Sequence, residues 1–548
     1  MAGREKQASF ISQGIILAAA SVIVRLIGVV YRIPLANTIG NDGLGAYSNA
    51  FEVYSIALLL STYSIPTAIS KLISEREDKK EYGNSYHMLQ VGMAFAAVLG
   101  FLASLLLFVG ADFIAEHIFK EADLSTAIPL KVLAPTIFVF SIMGVIRGFF
   151  QGKHTVIPTS VSQILEQIVN AVVSVVAAKM LIGHFSASEK ISAYGAAGGT
   201  LGTLCGALTA LVFLLFVFLS YLPYLKRRLK KDQIGAYEDR AFLFKMLLMT
   251  TFPIILNQTV YSISSLLDSV LLNQILDGKG VAETVRRELF GLYSGKYRLM
   301  TNVPISVASA IGMATLPSIV QAHTQKNKEL LHGRIAQAVK LNMLIAFPCA
   351  GGMAVLAGPI MQFVFGETGD SLTMTSRMMY IGAASIIFFA YSTATNSILQ
   401  GVNRMRVPVI HGVISLAIYL VLDVVLLLFT PLGVYALVIG NMVFPLIISI
   451  LNWWRLKKET GYVQELDRTF LRIGLCTVFM SVLALLIYRG MMFVTKESNA
   501  ISLCVAIFLA MVIYFVMLLL FRAVEEEELT DMPKGALLVR IAKKFRLM

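Results

Sequence analysis

Apolar runs of about 20 residues or more recur along the whole chain, each long enough to cross a hydrocarbon core of about 30 Å as an α-helix. Roughly fourteen such spans are predicted by that length criterion. The first six fall near 12–39, 45–73, 86–111, 127–150, 156–182 and 194–221. The next six fall near 244–275, 291–321, 335–358, 373–400, 407–429 and 432–454, and the last two near 469–488 and 499–521. No apolar-poor stretch is long enough for a separate globular domain. The pattern predicts an all-α polytopic membrane protein. Between the sixth and seventh spans lies "PYLKRRLKKDQIGAYEDR", the most basic loop in the chain and a natural linker. The expected organisation is a six-helix lobe over 1–225, a basic linker over 226–243 and a second six-helix lobe over 244–458. Two extra helices follow over 459–521, then a tail over 522–548.

The two halves repeat. "GAYSNAFEVY" (Gly45 to Tyr54) matches "GLYSGKYRLM" (Gly291 to Met300), and "SIPTAIS" (Ser64 to Ser70) matches "TLPSIVQ" (Thr315 to Gln321). "GFFQGKHTVIP" (Gly148 to Pro158) matches "SILQGVNRMRVP" (Ser397 to Pro408) with one insertion. The matches keep their order, and an even number of spans separates equivalent positions. The repeats are therefore parallel, related by an axis along the membrane normal, which is a transporter signature with the substrate site between the halves.

Composition sharpens this reading. Residues are 57% hydrophobic and 14% charged, with a formal net charge of +13. The basic residues sit mainly in short loops, so they orient a membrane protein and do not form a nucleic-acid patch. Roughly 28 Lys and Arg lie on the side of the N-terminus against roughly 9 on the other, which makes that side cytoplasmic and places both termini inside. Lys279, Arg286 and Arg287, after the seventh span, are the main exceptions. The acidic run Glu525–Glu528 reads as the solvated start of the tail. Arg4, Lys6 and Ala18-Ala19-Ala20 resemble a signal peptide, but the apolar run continues past Ala20 to Ile39, so the first helix is read as uncleaved. Cys205, Cys349, Cys476 and Cys504 all lie in apolar runs and read as packing residues.

No soluble-enzyme motif survives inspection, and an enzyme is not expected. "GFFQGKH" has the wrong spacing for a P-loop, and "GAAGGTLGTLCG" opens an apolar span. Gly198, Gly202 and Gly206 recur every four residues, which suits close helix packing. What remains is a set of polar groups inside the spans. Arg25 and Arg32 lie two helical turns apart in the first span, and Glu52 lies in the second. Gln163, Glu166, Gln167 and Asn170 make one polar stripe on the fifth. Asp268 lies in the seventh span, Lys296 and Arg298 in the eighth, and Asp423 in the eleventh. Two readings stand. The groups pair internally and fix helix packing, or they line a hydrated cavity on a substrate path. Arginines suit a phosphate cargo through planar, bidentate, permanently charged hydrogen bonding.

"VRLIGVVYR" followed by "NTIGNDGLGAYS", "KYRLMTNVPISVASAIGMATLPSIV" and "VSQILEQIVN" resemble the MurJ/SpoVB group of polysaccharide-lipid flippases. That group belongs to the multidrug/oligosaccharidyl-lipid/polysaccharide (MOP) exporter superfamily. The resemblance covers the whole chain and implies a V-shaped fold of two six-helix repeats plus two C-terminal helices. It implies a flippase in the bacterial cytoplasmic membrane that moves lipid II, the undecaprenyl-pyrophosphate-linked peptidoglycan precursor, to the outer leaflet. Implied partners are the lipid-linked glycan, membrane lipid and other cell-wall synthesis proteins. Arg25, Arg32 and Arg298 match the family's first- and eighth-span arginines. The family's second-span arginine has no counterpart; Glu52 lies nearby, and Lys296 is the candidate replacement. The extra helices match a pair that holds the polyprenyl tail. No organic cofactor is implied, but some members place a sodium site between the seventh and eleventh spans. That makes Asp268 and Asp423 the candidates for coupling Na+ or H+. The asparagine expected one turn before Asp423 is Tyr419 here.

Three alternatives stay open: a flippase for another polyprenyl-linked glycan, a multidrug exporter of the same superfamily, and a membrane glycan polymerase. The first-span arginines and extra helices weigh against the exporter, and the short outer loops weigh against the polymerase.

Overall fold

The computed structural model describes residues 2–59, 65–230, 232 and 237–524, except the side chains of 2–19, 21–22, 252–254 and 256–261. The run Glu525–Glu528 and the tail that follows lie outside the described residues. Two compact units divide the chain, Met1–Gly295 and Lys296–Met548.

In the first unit, α1 (Ala2–Leu58) joins two helices at Gly40, whose φ of 70° only glycine adopts without strain. There follow α2 (Ile65–Asp78), α3 (Tyr82–Phe113), α4 (Ala127–Gly152), α5 (Ile157–His184), α6 (Ile191–Leu229), α7 (Arg240–Gly278) and α8 (Glu283–Phe290). A π-helical segment, Gly291–Arg298, carries the chain into the second unit. There α9 (Leu299–Thr324), α10 (Lys328–Val355), α11 (Ala357–Phe365), α12 (Gly369–Gly382), α13 (Ala384–Gly401), α14 (Arg406–Phe429), α15 (Tyr435–Thr460), α16 (Arg472–Val494) and α17 (Asn499–Leu520) follow. Short π-helical turns at Ile114–Ile118 and Asp467–Leu471 extend α3 and precede α16.

Among the described residues there is no strand, and eleven helices are long and apolar enough to cross a membrane, or twelve if α12 and α13, bent by 43°, form one span. The two helices joined in α1, and the 39-residue α7, make the fold consistent with fourteen spans. The outer faces are apolar, as lipid contact requires: Leu106 is 72% exposed, Phe216 68% and Phe493 91%. Two short helices, α8 and α11, escaped the sequence reading because eight and nine residues are too few to span.

The unit boundary falls after α8 rather than in the basic linker, because α7 and α8 pack on α1 in the first unit. The described end of the linker docks there too. Glu238 accepts a 2.7 Å hydrogen bond from Nε of buried Arg76. Its backbone N–H donates to Asn84 at 2.9 Å. On the opposite side of the unit, Arg286 pairs with Asp277 and donates to the Lys120 carbonyl at 2.6 Å. Arg287 pairs with Asp42 and Asp123. The two arginines that stood out as exceptions to the charge asymmetry thus bring their own carboxylates.

Each unit repeats a local device at the third sequence match. After α4, His154 takes a φ of 58°, its N–H donates to Gln151, and the Thr155 N–H donates to Phe150. After α13, Asn403 takes a φ of 62°, its N–H donates to Gln400, and the Arg404 N–H donates to Leu399. Similar sequence here makes the same turn. In the second unit, α16 and α17 share one apolar core with α10, sealed by the Tyr514 hydroxyl donating to the Leu344 carbonyl at 3.0 Å.

Candidate functional site

The polar stripe on α5 faces α1, α4 and α6, and the structure gives its members different surroundings. The α6 glycines explain how close the helices come. A Cβ at Gly206 would lie 2.5 Å from the Glu166 carbonyl oxygen, and Cβ atoms at Gly198 and Gly202 would strike α5 as well. Such small-residue contacts let membrane helices pack backbone to backbone.

Glu166 accepts a 2.8 Å hydrogen bond from Nη2 of Arg147, and Arg147 Nε donates to Ser162 at 3.0 Å. Arg147 is 8% exposed. It is a charged residue inside the fourth span, a signal the sequence reading passed over. Asn170 donates to the Tyr31 hydroxyl at 3.3 Å, which ties the stripe to α1. Gln163 is different: its buried Oε1 has no hydrogen-bond partner among the described residues.

On α1, at the residue after Tyr31, the Arg32 guanidinium sits 5.5 Å from the Phe51 ring centroid. A cation over an aromatic face is attracted by the ring quadrupole. Arg32, Tyr47, Ser48, Phe51, Glu52 and Ser294 line a small cavity of about 70 Å³. Arg32 and Glu52, two of the sequence candidates, therefore share one site. Arg25, nearer the start of the helix, is exposed. Asp268, on α7, is 5% exposed and accepts a 2.9 Å hydrogen bond from the Tyr293 hydroxyl.

The second unit holds the other candidates. The π-helical segment ends on Lys296 and Arg298, and such segments often re-aim side chains at functional sites. Lys296 is buried against Glu367 and lies 5.7 Å from the Phe365 ring centroid. That glutamate lies just after α11. Arg298 is half-buried. Tyr297, between them, is buried and accepts a 3.2 Å hydrogen bond from Asn441 on α15. Asp423 is fully buried and packs against Gly440, where any Cβ would overlap the carboxylate. Carboxylate oxygens are donors that a hard cation takes. Among the described residues, however, no three His, Cys, Asp or Glu side chains converge as a metal site would need. Asp268 and Asp423 belong to different units.

Residues 11–323 match the family described as "Polysaccharide biosynthesis protein", and residues 299–425 match MatE. The chain is similar to the stage V sporulation protein B of Bacillus subtilis (strain 168), 24% identical over 541 residues, covering 97% of this chain and 99% of that protein. It is 24% identical over 426 residues to the lipid II flippase MurJ of the same organism, covering 75% of this chain and 76% of MurJ. Its fold matches a solved structure of "Lipid II flippase MurJ, inward closed conformation" with a TM-score of 0.67 at 16% identity, covering 92% of this chain and 98% of the other. The chain belongs to the polysaccharide biosynthesis protein family, as a MurJ/SpoVB-like membrane flippase with the fold of the MOP exporter superfamily.

Proposed function

We propose that this protein flips an undecaprenyl-pyrophosphate-linked peptidoglycan precursor, lipid II, from the cytoplasmic to the outer leaflet of a bacterial membrane, with both termini cytoplasmic. The observation that carries this reading is Arg32, a permanent cation within a membrane-spanning helix that lines a cavity beside Glu52 and Phe51. A guanidinium within a membrane span is costly unless it serves a polar path, and its donor fork suits a pyrophosphate. Similarity to MurJ and to stage V sporulation protein B supports a lipid-linked glycan as cargo. A sugar-peptide-pyrophosphate cannot cross hydrocarbon unaided. In this reading Arg25, Arg32 and Arg298 bind the pyrophosphate, Gln163 meets the head group, and alternation between two facing states moves it across. The polyprenyl tail stays in lipid along α16 and α17. Asp268 and Asp423 couple the cycle to sodium or protons.

The deciding experiment is complementation of a strain depleted of its lipid II flippase. Growth with normal peptidoglycan synthesis supports lipid II as cargo. Failure, with the protein present in the membrane, assigns it to another polyprenyl-linked polysaccharide.

A further inference from the structure

A second cavity, of about 800 Å³, lies in the first unit on the side of the basic loops, away from Arg32. It is formed where α2 ends, α3 begins, α4 turns into α5 and α6 reaches its last turns. Its polar wall is built around one carboxylate. Glu77 accepts a 2.6 Å hydrogen bond from Lys153 and a 3.3 Å one from Nη1 of Arg228. Glu77 and Lys153 have side chains only 8% and 5% exposed, whereas Arg228 is 37% exposed. Two cations thus share a single buried anion. Asp78 and His154 pair with each other at the exposed rim, 3.5 Å apart. Burial lowers the Lys153 amine below its ordinary range although Glu77 opposes the shift.

Aromatic rings hold both cations in place. The Arg228 guanidinium lies 4.7 Å from the Tyr82 ring centroid and 5.3 Å from that of Tyr224, and Lys153 lies 5.0 Å from that of Phe149. Arg228 makes one hydrogen bond among the described residues, so most of its donors remain for a ligand. Phe150, Pro158 and Val217 add apolar lining to the same cavity. Their sequence neighbours are exposed apolar residues: Ile157 is 55% exposed and Phe216 68%.

We propose that this cavity binds the head group of an anionic phospholipid from the leaflet on the basic-loop side, its phosphate on Arg228 and Lys153 and its first methylenes against Val217 and Phe150. The partly exposed Arg228 guanidinium, with donors left over beyond Glu77, sets the sign of the ligand. A guanidinium fork recognises phosphate, and the apolar wall selects a lipid over a soluble phosphate ester. Basic pockets between membrane helices bind anionic head groups on these grounds. The volume lies within the range of small-ligand pockets.

The test is a titration of the purified full chain in neutral detergent, read by the rise in its thermal unfolding midpoint. The probes are dihexanoyl phosphatidylglycerol, dihexanoyl phosphatidylcholine and glycerol 3-phosphate. Saturable stabilisation by phosphatidylglycerol is expected, with an apparent affinity about tenfold or more above either other probe. Arg228→Gln is expected to weaken it by about tenfold or more. Val217→Trp, which fills the apolar wall and leaves every charge, is expected to weaken it as well. That second variant decides the matter if Arg228→Gln does not fold. Wild-type affinity in both variants overturns the site. Equal binding of phosphatidylcholine overturns the charge selection, and equal binding of glycerol 3-phosphate overturns the lipid assignment. The assay reads no transport, so its failure is separate from failure of the flippase reading.

Discussion

Arg287 and Asp123 form a two-pronged ion pair, with Nη1 and Nη2 of the arginine each donating to one carboxylate oxygen at 2.8 Å. Nε of the same guanidinium donates to Asp42 at 2.7 Å, and Glu121 lies 3.9 Å from Nη1. One cation therefore holds α1, the α3–α4 connection and α8 together, and faces three carboxyl groups.

Arg287→Ala leaves those carboxylates facing one another without a counter-charge. Removing one partner of a buried pair costs about 3–5 kcal/mol. A clear drop in the thermal unfolding midpoint in detergent is expected. Arg287→Lys is expected to recover only part of it, since an ammonium cannot span both oxygens.

Glu121 gives the same cluster a pH dependence. Burial pushes its carboxyl up from 4.5 to about 7, although Arg287 and the hydrogen bonds from Thr126 pull it down. The folded state then holds a proton that the unfolded state releases, so stability falls as pH rises from about 4.5 through 7. The full effect is about 3 kcal/mol by the linkage relation. Asp123 acts in the opposite sense but at lower pH. Burial raises its carboxyl, yet hydrogen bonds from Arg287 and Ser125 hold it below 3.8. Unfolding midpoints of wild type and Glu121→Gln, measured from pH 5 to pH 8, are expected to diverge in slope, with the variant flatter.

Ala at Arg25, Arg32 or Arg298 is expected to abolish flipping without loss of membrane expression. Arg298→Lys is expected to rescue only partly, because charge without the planar fork binds phosphate less well. Flipping of labelled substrate in proteoliposomes measures this. A triple Ala variant with wild-type activity would remove the arginines from the cargo path.

The Arg147–Glu166 pair is expected to behave as a buried ion pair. Arg147→Met alone strands a carboxylate within the membrane and costs about 3–5 kcal/mol. Arg147→Met with Glu166→Met replaces both by apolar groups and is expected to restore the unfolding midpoint to near wild type. Wild-type flipping in the double variant would make Glu166 a packing residue.

Asp268→Asn with Asp423→Asn is expected to remove the dependence of flipping on an imposed ion gradient. The measurement is transport into vesicles with sodium and proton gradients applied separately. Unchanged rate and unchanged ion dependence would place coupling elsewhere.

Much of this protein was legible without coordinates. Apolar runs longer than a bilayer is thick force helices, because backbone groups in lipid must bond within their own segment. That constraint is local, so it predicts the polytopic all-α fold and most of its spans. The repeat was legible too. "GFFQGKH" and "SILQGVN" each close a helix through the same turn hydrogen bonds. The glycines of α6 revealed a packing face because their spacing of four is itself a helical surface.

Partner choice was not legible. Glu166 reads as a member of a polar stripe, and only the packing of α4 on α5 brings Arg147 to it. Lys296 reads as a cargo ligand, and only the return of the chain after α11 buries it against Glu367. Arg286 and Arg287 read as exceptions to the charge asymmetry until carboxylates from α7, α1 and the α3–α4 connection neutralise them. The sequence by itself determined which segments are long and apolar enough to span and which charges must find a polar setting, since each follows from the composition of one segment in a low-dielectric slab. Only the tertiary structure decided which charge meets which, because ion pairing acts over a few ångströms between residues that can be more than 240 positions apart, as Asp42 and Arg287 are.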